Sequence, residues 1–119
     1  MKSEKEYLIQ HLIIFTRYPE PGKTKTRLIP VLGDIGAANL QKQMTEQTIL
    51  QVKELQKLTK LSVEIRFTGG NLEKMRNWLG NDLLYQFQGE GDLGQRMERS
   101  LVNAFNQTAK QVIIIEIGR

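Results

Sequence analysis

The sequence predicts a single α/β domain built on a mainly parallel, four-stranded sheet. Three observations predict it. Four apolar or alternating runs, at 12–15, 61–67, 83–87 and 112–115, are separated by segments whose apolar residues have helical spacing. Two unusual loops, 15–28 and 88–94, each follow a strand and precede a helix, which puts both at the carboxyl edge of such a sheet. The 119 residues allow one small domain with a modest core.

Taken in order, residues 1–6 are polar and read as loose. Tyr7 to Phe15 reads as the first strand, and its continuous run Leu12-Ile13-Ile14-Phe15 suits a strand covered on both faces. A short helical turn around Lys25–Leu28 ends at Pro30 and Gly33. Asp34 is placed to cap a long helix over about 34–58, with a core stripe of Ala37, Leu40, Met44, Thr48, Val52 and Leu55. Leu61 to Phe67 alternates apolar and polar, a second strand with one partly exposed face. Gly69-Gly70 breaks it, and Asn71 caps a short helix over 71–79 whose Trp78 anchors on the sheet. Leu83 to Phe87 is a third strand. Asp92, with Gln95 three residues on, starts a helix over about 92–108 that buries Leu93, Met97, Leu101, Ala104 and Phe105. Val112 to Ile115 is the fourth strand.

Composition excludes several classes. Seventeen Lys and Arg stand against thirteen Asp and Glu, a net charge of +4. With no Cys, thiol catalysis, disulfides and Cys-ligated zinc are ruled out, and the lone His11 makes no histidine metal cluster. Ahead of an apolar run, His11 reads as a strand-edge residue. No window approaches the roughly eighteen apolar residues of a membrane span, and the N-terminus lacks an apolar signal core, so the expected location is cytoplasmic. The aromatic residues do not interleave with basic runs, which disfavours a nucleic-acid surface.

The excess charge is concentrated. The loop Phe15-Thr16-Arg17-Tyr18-Pro19-Glu20-Pro21-Gly22-Lys23-Thr24-Lys25-Thr26-Arg27-Leu28 carries four cations against one Glu. A strand, a Pro/Gly loop, then cations and a Thr at a helix start is a way to build an anion site. The spacing matches neither a Walker A loop nor a dinucleotide fingerprint. The second loop, Gln88-Gly89-Glu90-Gly91-Asp92-Leu93-Gly94, has three glycines that allow close backbone approach or positive φ.

Together, Phe15-x-x-x-Pro19-x-Pro21-Gly22-x-x-Lys25-Thr26-Arg27-Leu28 and Gln88-Gly89-x-Gly91-Asp92-Leu93-Gly94-x-Arg96-Met97 resemble the DUF2064 family of GT-A-type, glycosyltransferase-like and nucleotidyltransferase-like proteins. The resemblance extends from about residue 10 to the end and covers the first half of a typical member. It implies a Rossmann-like three-layer sandwich with strand order 3-2-1-4, read here as a single truncated nucleotide-diphospho-sugar-transferase-like domain over 1–119. It implies that Lys25, Thr26 and Arg27 face nucleotide phosphates, that Gly22 shapes their loop, and that Gly89, Gly91, Asp92 and Gly94 approach base or ribose. Arg17 stands where relatives commonly carry Lys.

The resemblance also implies Mg²⁺ or Mn²⁺ in full-length members, held by an acid after the fourth strand. In this register Gly118 occupies that position, and Glu116 lies two residues upstream, roughly 6.6 Å along a strand. The expectation is therefore a nucleotide- or phosphate-binding domain that needs no cofactor and is inactive in transfer on its own. Two other readings are a noncatalytic anion-binding module working with a partner chain and a nonspecific nucleic-acid binder. The apolar, β-branched fourth strand is expected at a sheet edge, where residues 112–116 pair two copies into a homodimer with a continuous sheet.

Overall fold

The computed structural model of the chain describes residues 10–117. Its elements are β1 (Gln10–Arg17), a 3-10 turn (Thr26–Leu28), α1 (Ile29–Leu58), β2 (Ser62–Thr68), α2 (Leu72–Leu79), β3 (Leu84–Phe87), α3 (Leu93–Asn106) and β4 (Gln111–Glu116). The sheet has the order β3-β2-β1-β4, and every pair is parallel. This is the expected α/β architecture and strand order. The expected start of β1 at Tyr7, the loose segment 1–6 and the acid position at Gly118 lie outside the described residues.

β1 is the centre of the core. Leu12 and Ile14 pack with Ile49 and Val52 of α1 and Met75 and Leu79 of α2 on one face. Ile13 and Phe15 meet Ala104 on the other, with Leu93, Met97, Val112 and Ile114 against them. Four consecutive apolar side chains at most 5% exposed are what burial between two helical layers demands. Two helix starts follow their sequence signals. Asn71 accepts a hydrogen bond from Lys74 N, and Asp92 with Gln95 forms a reciprocal capping box.

Several expected details differ. Helical residues begin at Ile29, and Gly33, with φ of 75°, kinks α1 before the long expected helix. Asp34 does not cap it, since Asp34 Oδ1 accepts from its own neighbour Ile35 N at 2.8 Å. The buried stripe is Ala37, Ala38, Gln41, Thr45, Ile49 and Val52, while Met44 and Leu55 are 39% and 46% exposed. The rotation has a polar cause. Gln41 Nε2 donates to Thr16 Oγ1 at 2.9 Å, and Thr16 Oγ1 lies 2.7 Å from Thr45 Oγ1. Phe105, expected inside, is half exposed on α3.

β2 has no exposed face. Val63 to Phe67 are all buried, Glu64 and Arg66 included. The two charges survive there because they pair with each other, and Glu64 Oε1 also lies 2.9 Å from His11 Nε2. His11 is thus an interior cross-strand partner, not a strand-edge residue. Among the described residues no helix is long and apolar enough to cross a membrane.

Candidate functional site at the carboxyl edge

β1 pairs with β2 on one side and β4 on the other, so strand order reverses at β1. A cleft of about 130 Å³ opens there, beyond the carboxyl ends of the strands. It is lined by Thr16 and Arg17 at the end of β1, Gln88 after β3, Arg96 on α3, and Glu116 at the end of β4. The two unusual loops therefore meet at one cleft, through Arg17 on one side and Gln88 and Leu93 on the other.

Gln88 is the hub. Its side chain is 4% exposed, and its Nε2 donates to the main-chain oxygens of Thr16 at 3.2 Å and Arg66 at 3.1 Å. Its Oε1 accepts from Arg96 Nη1 at 2.6 Å. Arg96 Nε donates in turn to Asp92 O at 3.3 Å. Both of these acceptors are neutral oxygens, and together they aim the guanidinium. Arg17 is held more loosely, with Nη1 3.5 Å from Thr68 Oγ1 and Nη2 3.9 Å from Glu20 Oε1. Its Nε is buried with no partner among the described residues, and an unmet buried donor of this kind costs free energy until a ligand or water supplies an acceptor.

The loop after β1 is shaped by Thr24, which is fully buried. Thr24 Oγ1 accepts from Glu20 N at 2.8 Å and donates to Tyr18 O at 3.2 Å. Glu20 O takes the amides of Lys23 and Thr24, both at 3.0 Å, which closes the turn over Gly22 at φ of 85°. Lys25 follows at φ of 50°, a left-handed conformation uncommon for a side-chain-bearing residue. Burial pulls its ammonium pKa down. Thr26 and Arg27 are exposed on the 3-10 turn. None of Gly22, Lys25, Thr26 and Arg27 lines the cleft.

In the second loop, space next to the glycines is taken by the protein itself. A Cβ on Gly89 would stand 2.3 Å from Arg99 Nη1, and one on Gly91 would stand 2.4 Å from Gln95 Oε1. Arg99 fills its gap by donating to Gln88 O at 2.8 Å and Glu90 O at 2.9 Å. Asp92 is engaged in its capping box, and Gly94 lies in the first turn of α3. Gln88, Arg96 and Thr24 are the residues that sequence reasoning left off the site. Gln88 and Arg96 stood inside the second motif, and that was the available signal.

The fold and cleft define a class: a parallel α/β domain with a cationic opening at the point of strand reversal. The family model for DUF2064, described as an uncharacterized protein conserved in bacteria, matches residues 51–117, more than half of the chain. The chain belongs to DUF2064. A solved structure from Desulfovibrio desulfuricans G20, described as a candidate nucleotide-diphospho-sugar transferase, superposes with a TM-score of 0.82 at 29% identity. That match covers 91% of this chain and 46% of the other, so the chain spans under half of that protein's length. No curated protein matches the chain.

Proposed function

We propose that this chain is a nucleotide-binding domain of GT-A type, which takes the diphosphate of a nucleotide or nucleotide sugar into the cleft between β1, β4 and α3. One observation carries the reading. Arg17 and Arg96 line the same cleft, and Arg96 is fixed there by a buried glutamine that spends both ends of its amide on the task. One aimed guanidinium, Arg96, and a looser one, Arg17, match the oxygens of a diphosphate, for which planar guanidinium donors are suited. The loop bearing Gly22, Lys25, Thr26 and Arg27 adds cations toward the same ligand, and Gly89, Gly91, Asp92 and Gly94 shape the side toward its nucleoside.

The divalent ion of full-length relatives does not fit the residues here. Glu116 is the one carboxylate among the lining residues, which also include Arg17 and Arg96. Mg²⁺ and Mn²⁺ prefer several oxygen ligands, and among the described residues no group of three or more acids or histidines could hold a metal. Binding without transfer is accordingly the activity proposed for this chain alone. The same reading extends to assembly, with two copies joined at β4.

Calorimetry with UDP, GDP and inorganic pyrophosphate tests the site. Arg17→Ala and Arg96→Ala should each weaken binding about tenfold or more, since a charge-assisted contact is worth on the order of 1.5–3 kcal/mol. Lys25→Ala combined with Arg27→Ala should weaken it as well. Unchanged affinity in all three variants would discard the cleft as a phosphate site. Salt titration separates a pocket from a nucleic-acid surface, whose affinity falls far more steeply with salt.

A further inference from the structure

The two arginines of the cleft are held differently. Arg96 makes a 2.6 Å hydrogen bond to Gln88 Oε1. Arg17 reaches Thr68 Oγ1 only at 3.5 Å and Glu20 Oε1 only at 3.9 Å. Both distances exceed the roughly 2.7–3.2 Å of a well-formed N–H···O bond. Arg17 Nε is buried and has no acceptor among the described residues.

Glu20, by contrast, is pinned by its main chain. Its N donates to Thr24 Oγ1 at 2.8 Å, and its O accepts from Lys23 N and Thr24 N, both at 3.0 Å. The carboxylate thus leaves the loop at a fixed point, and Glu20 is not one of the residues that line the cleft. Gly69, just past β2, seats the pair. Its φ is 71°, and a Cβ there would stand 2.8 Å from Glu20 Oε1 and 3.5 Å from both Arg17 Cζ and Arg17 Nη2. A residue without a side chain is what lets carboxylate and guanidinium lie together over the end of β2.

We infer that Glu20 is a resident counter-ion of Arg17 that an incoming anion must displace, and that it thereby sets which anions the cleft accepts. This rests on the diphosphate reading above. A free monocarboxylate offers Arg17 only what Glu20 already supplies, and it loses translational freedom on binding, which Glu20 does not. A diphosphate can reach Arg17 and Arg96 together, since both line the cleft. Its second contact outweighs the loss of the first pair, because an ion pair at 3.9 Å with both partners partly exposed contributes little. The exchange also brings an acceptor toward the unmet Nε. Glu20 therefore excludes small monoanions and lowers diphosphate affinity only slightly.

Calorimetry with inorganic pyrophosphate tests this. The turn is closed by the main chain of Glu20, so changes to its side chain keep the loop. Glu20→Gln should tighten pyrophosphate binding about threefold. Glu20→Asp keeps the charge but is one methylene shorter, and should tighten it as well. Combined with Arg17→Ala, Glu20→Gln should change nothing relative to Arg17→Ala alone. At constant ionic strength, exchanging chloride for acetate should weaken pyrophosphate binding in Glu20→Gln and leave the parent chain unchanged. Equal pyrophosphate affinity in the parent chain and Glu20→Gln overturns the counter-ion and leaves the cleft standing. A gain from Glu20→Gln that persists without Arg17, or that Glu20→Asp does not share, assigns the effect to long-range charge and overturns the pairing. An acetate effect equal in the two chains overturns the selection among anions. No pyrophosphate binding by either chain overturns the cleft as a phosphate site, and the inference with it.

Discussion

Gln88 Oε1 accepts a 2.6 Å hydrogen bond from Arg96 Nη1 while the other end of the same amide donates to two strands. The donor end reaches the main-chain oxygens of Thr16 in β1 and Arg66 in β2. One buried side chain thereby ties the carboxyl edge of the sheet to the cation that lines the cleft. If the cleft takes a diphosphate as proposed, stability and ligand affinity are coupled at this residue.

Gln88→Met keeps the volume and loses every side-chain hydrogen bond of Gln88. It leaves two buried carbonyls without these donors, so unfolding free energy should fall by roughly 2–3 kcal/mol in denaturant titration. Diphosphate affinity should fall as well, because Arg96 loses its anchor. Gln88→Glu separates the two effects: it still accepts from Arg96 but has no donor for the carbonyls. An affinity in Gln88→Met equal to that of the parent chain would show that Arg96 needs no positioning.

Divalent ions should contribute little. With Glu116 as the sole carboxylate in the cleft lining, adding Mg²⁺ or Mn²⁺ should change UDP or GDP affinity by less than about threefold, under about 0.65 kcal/mol. Turnover of a nucleotide sugar or nucleoside triphosphate by the purified chain, dependent on either ion, would contradict this.

Much of this architecture was legible in the sequence because it rests on local patterns. The apolar run Leu12–Phe15 marks a buried strand, and Asn71 and Asp92 mark helix starts by chemistry that needs no tertiary partner. The failures share a different cause. Gln41 and Thr45 look like surface residues of α1, yet they are buried because Thr16 offers them hydrogen bonds. Glu64 and Arg66 give β2 an alternating pattern, yet pairing lets both go inside. Gln88 and Arg96 escaped for the same reason, since a buried polar network is defined by partners distant in sequence. The cleft was foreseen at the right edge of the sheet, but which cations line it depends on the path of the loop from Pro19 to Leu28.

Alkaline stability should report on Tyr85. Its hydroxyl donates to Gly80 O at 2.6 Å and joins β3 to the end of α2. Burial, with the nearby Asp82 charge adding to it, pushes its pKa from 10.0 up to about 12. The folded state thus holds the proton longer than the unfolded chain does. Its contribution is fully present below pH 10 and is lost as pH rises from about 10 to about 12. Tyr85→Phe should cost about 1 kcal/mol at neutral pH and flatten the stability curve over that window. Thermal melts as a function of pH check both, and an unchanged slope in the variant would remove Tyr85 as the cause.

The pair beneath the sheet gives the opposite limb. Burial alone would raise the Glu64 pKa, but the hydrogen bond from His11 and the charge of Arg66 outweigh it and hold the carboxyl below its usual value of 4.5. A depressed carboxylate contributes stability above its unfolded pKa and loses it as pH falls through the folded one. Acid unfolding should therefore be shallower in Glu64→Gln. That variant also leaves Arg66, 3% exposed, without its counter-charge. Breaking one partner of a buried pair costs on the order of 3–5 kcal/mol, whereas replacing both with apolar side chains of similar volume is often neutral. Glu64→Met with Arg66→Met should consequently be more stable than Glu64→Gln alone, with His11 left to Ser62, whose Oγ lies 2.5 Å from Nδ1. Chemical denaturation of the two variants at pH 7 decides it. A double variant less stable than the single one would mean that Arg66 has a structural task beyond neutralising Glu64.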